Sequence, residues 1–179
     1  MGRLNPKTIL SIVPLLLSFV MVPSSYAADT DRSKEEDNIR EAVFRHQFQH
    51  NASGQKQHAQ AYCLSIRLAD KNTDPSDAFM KRFSGYMPPV RKASECRWSK
   101  GEVVENRTGK PALIFSISNI TWVSDTEVTV SGGYEEANLS ASGNTYSVKK
   151  NDGKWTVTED RMNWISENKP SVQLRPIPA

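Results

Sequence analysis

The tripeptide Asn151-Asp152-Gly153, set between Val148-Lys149-Lys150 and Lys154-Trp155-Thr156-Val157, constrains the chain more than any other segment. Asn, Asp and Gly tolerate the positive φ that tight hairpin turns require, and the flanking residues alternate apolar with polar as half-buried strands do. A loop of two or four residues there pairs Val148 with Val157 and Lys150 with Trp155. Upstream, residues 112–123, 126–139 and 144–150 have the same strand character, so together with 154–165 they predict a four-stranded antiparallel meander. Gly132-Gly133 inside the second strand predicts a bulge that bends the sheet.

The chain ahead of the meander is helical in pattern. Ser33-Lys34-Glu35-Glu36 has the form of a capping box, and Ile39, Val43, Phe44 and Phe48 then supply one apolar face up to Asn51, with Ser53-Gly54 as the stop. Tyr62, Leu64, Ile66 and Leu68 alternate with Cys63, Ser65 and Arg67, which predicts a strand. A short second helix is expected with Asp74 as N-cap and Pro75 at its first position, burying Phe79, Met80 and Phe83 before Gly85. Met87-Pro88-Pro89-Val90 cannot continue a helix and predicts an extended crossing to Cys96 and Trp98. Helices grouped before strands give an α+β fold: an N-terminal helix and one short helix packed on a curved antiparallel sheet that closes in the meander.

Residues 1–27 read as a signal peptide. Arg3 and Lys7 precede the apolar run Ile9 to Val22, and Ser25 and Ala27 stand at the spacing that signal peptidase reads, which places cleavage after Ala27. The run is about 21 Å long as a helix, short of the ~30 Å hydrocarbon core. No later stretch is apolar enough to span a membrane, so the rest is expected in the periplasm or secreted. Residues 28–166 form the expected single domain, and 167–179, with Pro170, Pro176 and Pro178, a flexible tail. Setting aside Arg3 and Lys7 changes 23 basic against 20 acidic residues into 21 against 20. A near-neutral domain carries no case for nucleic acid, which demands a concentrated Lys/Arg surplus. In an oxidising compartment Cys63 and Cys96 are read as one disulfide.

The element order resembles the nuclear-transport-factor-2-like (NTF2-like, cystatin-like) α+β roll, in which an N-terminal helix lies in the concave side of a bent sheet. The run Gly133-Tyr134-Glu135-Glu136-Ala137-Asn138-Leu139-Ser140 to Asn144-Thr145-Tyr146-Ser147-Val148, with the hairpin to Val157, is similar to the last strands of small exported members. The resemblance implies a fold and not an activity, because that superfamily holds isomerases, dehydratases, transport factors and binding modules. The reduced second helix and the disulfide depart from its usual pattern.

The residues that could carry chemistry are few. His46 and His50 lie one helical turn apart and share a face, with His58 the third histidine; two imidazoles at this spacing can chelate a metal, or act as acid and base, or form a polar edge. Gln47 stands where a zinc protease places its Glu. An isomerase on such a roll needs a carboxylate in an apolar pocket and a Tyr donor, for which Asp70, Glu135, Glu136 and Tyr134 are raw material. Glu135 and Glu136 are adjacent on a strand, so only one of them enters a cavity. His46, His50 and Glu136 therefore stand as catalytic candidates, with no cofactor and no metal expected. Trp98, Trp122, Trp155, Trp164, Phe115 and Tyr146 read as core or cross-strand pairs, with a cavity lining as the rival reading. Four Asn-X-Ser/Thr triplets begin at Asn51, Asn106, Asn119 and Asn138. The absence of a catalytic constellation leads to an exported non-catalytic binding or interaction module for a small molecule or protein. The alternatives are a small-pocket isomerase or dehydratase and a periplasmic protein that binds or inhibits a partner.

Overall fold

The structure, a computed structural model, describes residues 25–51, 54–68, 71–137 and 140–166. Most of the expected signal peptide, Asp70, Asn138 and the expected tail lie outside the described residues. Among the described residues no helix is long and apolar enough to cross a membrane.

Helix α1 spans Ser25–His50. Ser33 is therefore inside the helix rather than its N-cap, because no Gly or Pro follows Pro23 to interrupt the helical run before it. Its apolar face is as expected: Ile39, Val43, Phe44 and Phe48 are buried. They meet Phe79 and Phe83 from the short α2 (Asp77–Met80) and the 3-10 turn after it. Each such side chain contributes about 1.5–3 kcal/mol on leaving water. Ser76, not Asp74, caps α2 by accepting from the Phe79 amide at 3.1 Å. Asp74 instead accepts from the Ser94 amide and hydroxyl, so its carboxylate is engaged across the chain rather than along it.

The strands are β1 (Ala61–Leu68), β2 (Lys71–Thr73), β3 (Val90–Lys92), β4 (Cys96–Ser99), β5 (Glu102–Glu105), β6 (Ala112–Ser124), β7 (Glu127–Ala137), β8 (Ser140–Asn151) and β9 (Lys154–Ser166). They form one strongly curled, half-barrel sheet. The β6-β7-β8-β9 meander is present, and Asp152 and Gly153, at φ 50° and 76°, make the two-residue turn that sets Val148 against Val157 and Lys150 against Trp155. The sheet is mixed rather than antiparallel, because β1 runs parallel to both β3 and β6. The long segment 69–111 between β1 and β6 gives the chain room to cross and return in the same direction.

α1 touches β6, β7, β8 and β9, which curl around it. β1 is buried on both faces from Ala61 to Ile66, while Leu68, expected inside, is 54% exposed. The second face is covered by the β4–β5 hairpin, whose Lys100-Gly101 turn has φ of 53° and 87°. A small cluster of Ala61, Cys63, Cys96, Val103 and Ala112 lies beneath it. Cys63 and Cys96 stand at disulfide distance, with Cα atoms 6.5 Å apart, and tie the start of β4 to β1.

Candidate functional site

The last turn of α1 and the inner face of β8 and β9 build a polar network. His46 and His50 stack at 4.2 Å between ring centroids. His46 Nε2 pairs with Asp160 Oδ2 at 3.0 Å, Asn144 Nδ2 donates to Asp160 Oδ1 at 2.6 Å, and Ser142 Oγ donates to Asn144 Oδ1 at 2.8 Å. His50 Nδ1 donates to the His46 carbonyl at 3.0 Å. Beside them the buried Tyr146 hydroxyl accepts from Asn51 Nδ2 at 2.6 Å and Gln47 Nε2 at 3.1 Å. Burial pushes the Tyr146 phenol well above its ordinary value, so it stays neutral and serves as an anchor for two amides. Asn51 is consequently no surface glycan acceptor.

Two of the imidazole nitrogens that would chelate a metal are thus engaged, by Asp160 and by a carbonyl. Among the described residues no group of three or more His, Cys, Asp or Glu is arranged to hold an ion, and His58 is exposed on a separate 3-10 turn. An inner cavity of about 260 Å³ is lined by His50, Asn51, Tyr134, Asn144, Asp160 and Met162 among others. His46 is not part of its wall, although Asp160, with which it pairs, and His50, on which it stacks, both are. Glu136 is 2% exposed at the end of β7, accepts from Ser140 Oγ at 2.6 Å, and lines neither this cavity nor the one below. The structure does not bring Glu136 together with the histidines into one pocket.

A larger cavity, about 470 Å³, opens on the sheet face turned away from α1. Ser65 and Arg67 from β1, Ser116 and Ser118 from β6 and Ser131 and Glu135 from β7 alternate with the core residues of their strands and so face outward into it. The sheet can sink here because side chains are missing. A Cβ on Gly133 would stand 2.0 Å from the Ser142 carbonyl oxygen, and one on Gly143 would stand 2.2 Å from Trp164 Nε1. The Gly132-Gly133 pair does not itself bulge; the extra residue is on β6, where the register shifts between Ile117 and Asn119 opposite it. The Trp164 indole rests directly on the Gly143 backbone.

Trp98, carried by the β4 segment that the Cys63–Cys96 pair ties down, lines the same cavity. Trp98 is 45% and Trp164 55% exposed, whereas Trp155, Phe115 and Tyr146 are in the core and Trp122 packs edge-on against Trp155. The aromatics therefore divide: Trp98 and Trp164 line the outer cavity, and Trp122 also borders a separate surface pocket of about 450 Å³ with Arg32 and Glu35. Ser65 is among the residues that line the cavity, but its hydroxyl is closed off from solvent and has no hydrogen-bond partner among the described residues. A buried polar atom without a partner costs about 1–3 kcal/mol, and Arg40 Nε, Gln47 Oε1 and Trp122 Nε1 share that state away from this cavity. Among the described residues the side chains of Arg67, Asn72, Ser131 and Glu135 also make no bond to protein. From the sequence, Trp98 and Trp164 carry a cavity lining only as the rival reading and Glu135 and Tyr134 enter only as raw material for an isomerase pocket; Arg67, Asn72 and the serines are not singled out, and the glycines at 132, 133 and 143 are their one local trace. Three residues, Tyr134, Ser142 and Asn144, border both cavities. Compared with protein families, curated proteins and solved structures, the chain matches none.

Proposed function

We propose that the protein is an exported, non-catalytic binding module that holds a small ligand in the outer cavity. The observation that carries this is a cavity walled by two half-exposed indoles and by the side chains of Arg67, Asn72, Ser131 and Glu135, which make no bond to protein among the described residues, since large aromatic side chains are normally covered by protein. Export to the periplasm or medium is supported by the leader-like residues 1–27 and by the paired cysteines, which persist in oxidising compartments. We read the sheet as an NTF2-like roll in which α1 fills the concave side, with the parallel β1 and the β4–β5 hairpin as additions. In this reading the ligand site has moved to the opposite face of the sheet.

The test uses protein purified from the envelope fraction, whose mass should show an N-terminus at Ala28 and two fewer hydrogens than the reduced form. A fluorinated fragment library is screened by ¹⁹F NMR against wild type, Ser131→Trp, which fills the outer cavity, and His46→Ala. Fragments lost only in Ser131→Trp support the reading. Fragments lost only in His46→Ala, or no binding at all, overturn it. One observation favours an enzyme instead, the imidazole of His46 oriented by Asp160. Turnover in isomerase or dehydratase assays that Asp160→Asn abolishes would establish that second reading.

A further inference from the structure

The chemistry of the outer cavity narrows what it holds. Its free polar groups include the neutral hydroxyl of Ser131 and amide of Asn72. Its two charged side chains, Arg67 and Glu135, are of opposite sign and are not paired with each other. A phosphate or nucleotide is held by a surplus of cationic donors, and a lipid by a largely apolar lining. Neither is present, because one guanidinium is offset by one carboxylate and serines from β1, β6, β7 and β8 line the wall. A peptide strand would need an open ladder of backbone groups, which β1, β6, β7 and β8 lack because they have strands on both sides; the edges β2, β4 and β9 contribute Asn72, Trp98, Asn163 and Trp164 to the lining, and trialanine tests them.

The class that best matches this mixture of neutral polar groups and exposed indoles is a neutral molecule that is rich in hydroxyl groups and has flat C–H faces. The negative face of an indole attracts such polarised C–H bonds, and its exposure in a polar cavity is otherwise unfavourable. Trp164 is fixed for this role by its seat on Gly143, and Trp98 by the adjacent disulfide. The glycine floor lets a ring approach the backbone without meeting a Cβ. The volume, about 470 Å³, falls within the range of small-ligand sites. Resting on the reading that the outer cavity is the binding site, we propose that its ligand is a neutral saccharide. Its sugar rings stack on Trp164 and Trp98, and its hydroxyls are taken up by Asn72, Ser131, Arg67 and Glu135.

The test follows the indole Nε1–H signals of ¹⁵N-labelled protein, assigned with Trp98→Phe and Trp164→Phe. The probes are chitotriose, cellotriose and maltotriose, with glucose-6-phosphate and trialanine as the charged and peptidic alternatives. The expected result is saturable shifts of the Trp98 and Trp164 signals with at least one neutral trisaccharide, at submillimolar dissociation constant. Trp164→Ala and, independently, Trp98→Ala should weaken that binding at least tenfold, while the Trp122 and Trp155 signals show the fold retained. If no trisaccharide moves either indole, the saccharide assignment fails. Binding of glucose-6-phosphate or trialanine alone, or of fluorinated fragments alone, would leave the cavity a binding site for another ligand class, whereas silence from all probes and fragments removes both proposals.

Discussion

Replacing Cys63 and Cys96 by serine should destabilise the protein and loosen one wall of the outer cavity before anything else moves. The two cysteines are 33 positions apart, and closing a loop of that length removes about 4 kcal/mol of unfolded-chain entropy in the chain-entropy account. For a domain of this size that corresponds to a fall in Tm of roughly 8–16 °C. The loss should be uneven. The β4–β5 hairpin rests on a few small residues, a single β5–β7 pairing at Glu102 and Ala137, a bridge from Val104 to Pro111, and the Arg91–Glu105 ion pair at 3.1 Å. The α1 side of the sheet keeps the large aromatic core. Calorimetry gives the global shift, and hydrogen exchange read by mass spectrometry gives the local one. Amides of 96–105 should lose protection ahead of those in β6 to β9. A Tm change under 2 °C with unchanged exchange at 96–105 would refute the reasoning, since side-chain packing alone would then be holding the hairpin.

Three further perturbations address the inner network and the sheet. Tyr146→Phe removes the hydrogen-bond partner of the Asn51 amide and should cost about 1–3 kcal/mol by urea unfolding, and a neutral effect would mean that amide finds water. Gly133→Ala forces a Cβ against the Ser142 carbonyl and should cost about 1–3 kcal/mol or more through backbone displacement, with Ser131→Ala near neutral as the control. The hydrogen bond from Trp155 Nε1, together with Lys150 Nζ at 3.0 Å, holds the Glu35 carboxyl below its ordinary 4.5 despite the opposing effect of burial. A lowered folded-state value stabilises the protein above pH 4.5, and that stability is lost as pH falls through the lowered value. Glu35→Gln should therefore be about 0.5–1 kcal/mol less stable at pH 7, with the gap closing in acid below 4.5. A gap independent of pH sinks the assignment.

What could be seen from the amino acids alone were features whose cause is local. The two-residue turn at Asp152-Gly153, the apolar face of α1 and the alternation of β6 and β8 each follow from a few neighbouring residues. The β4–β5 hairpin escaped because its turn is Lys100-Gly101, in which Lys takes positive φ without being a residue that favours it, and its strands are only four residues long. Alternation made β1 legible as a strand but not as one buried on both faces, because the hairpin that covers its second face is joined to it by a disulfide rather than by adjacency.

Both cavities depend on single-residue register shifts, and this explains why no motif announces either of them. Near the turn, Trp155 and Val157 point toward α1 and pair with Lys150 and Val148. Continued without interruption, the period of two would send Glu159 inward and Asp160 outward. An extra residue, Thr158, falls between the Val157 and Glu159 pairings and reverses that parity, which is why Asp160 reaches His46 across 114 positions of sequence. A second extra residue, Asn163, lies between the Met162 and Trp164 pairings and reverses it again. Met162 consequently lines the inner cavity while Trp164, two residues on, lies over Gly143 in the outer one. On β6 the shift at Ser118 does the same, leaving Ile117 and Ile120 inside and Ser118 in the outer cavity. A bulge costs a strand one ladder position and has no fixed residue signature beyond small or polar side chains. Side chains that share a site can therefore arrive from strands whose local patterns point them apart, and only the register decides which of them meet.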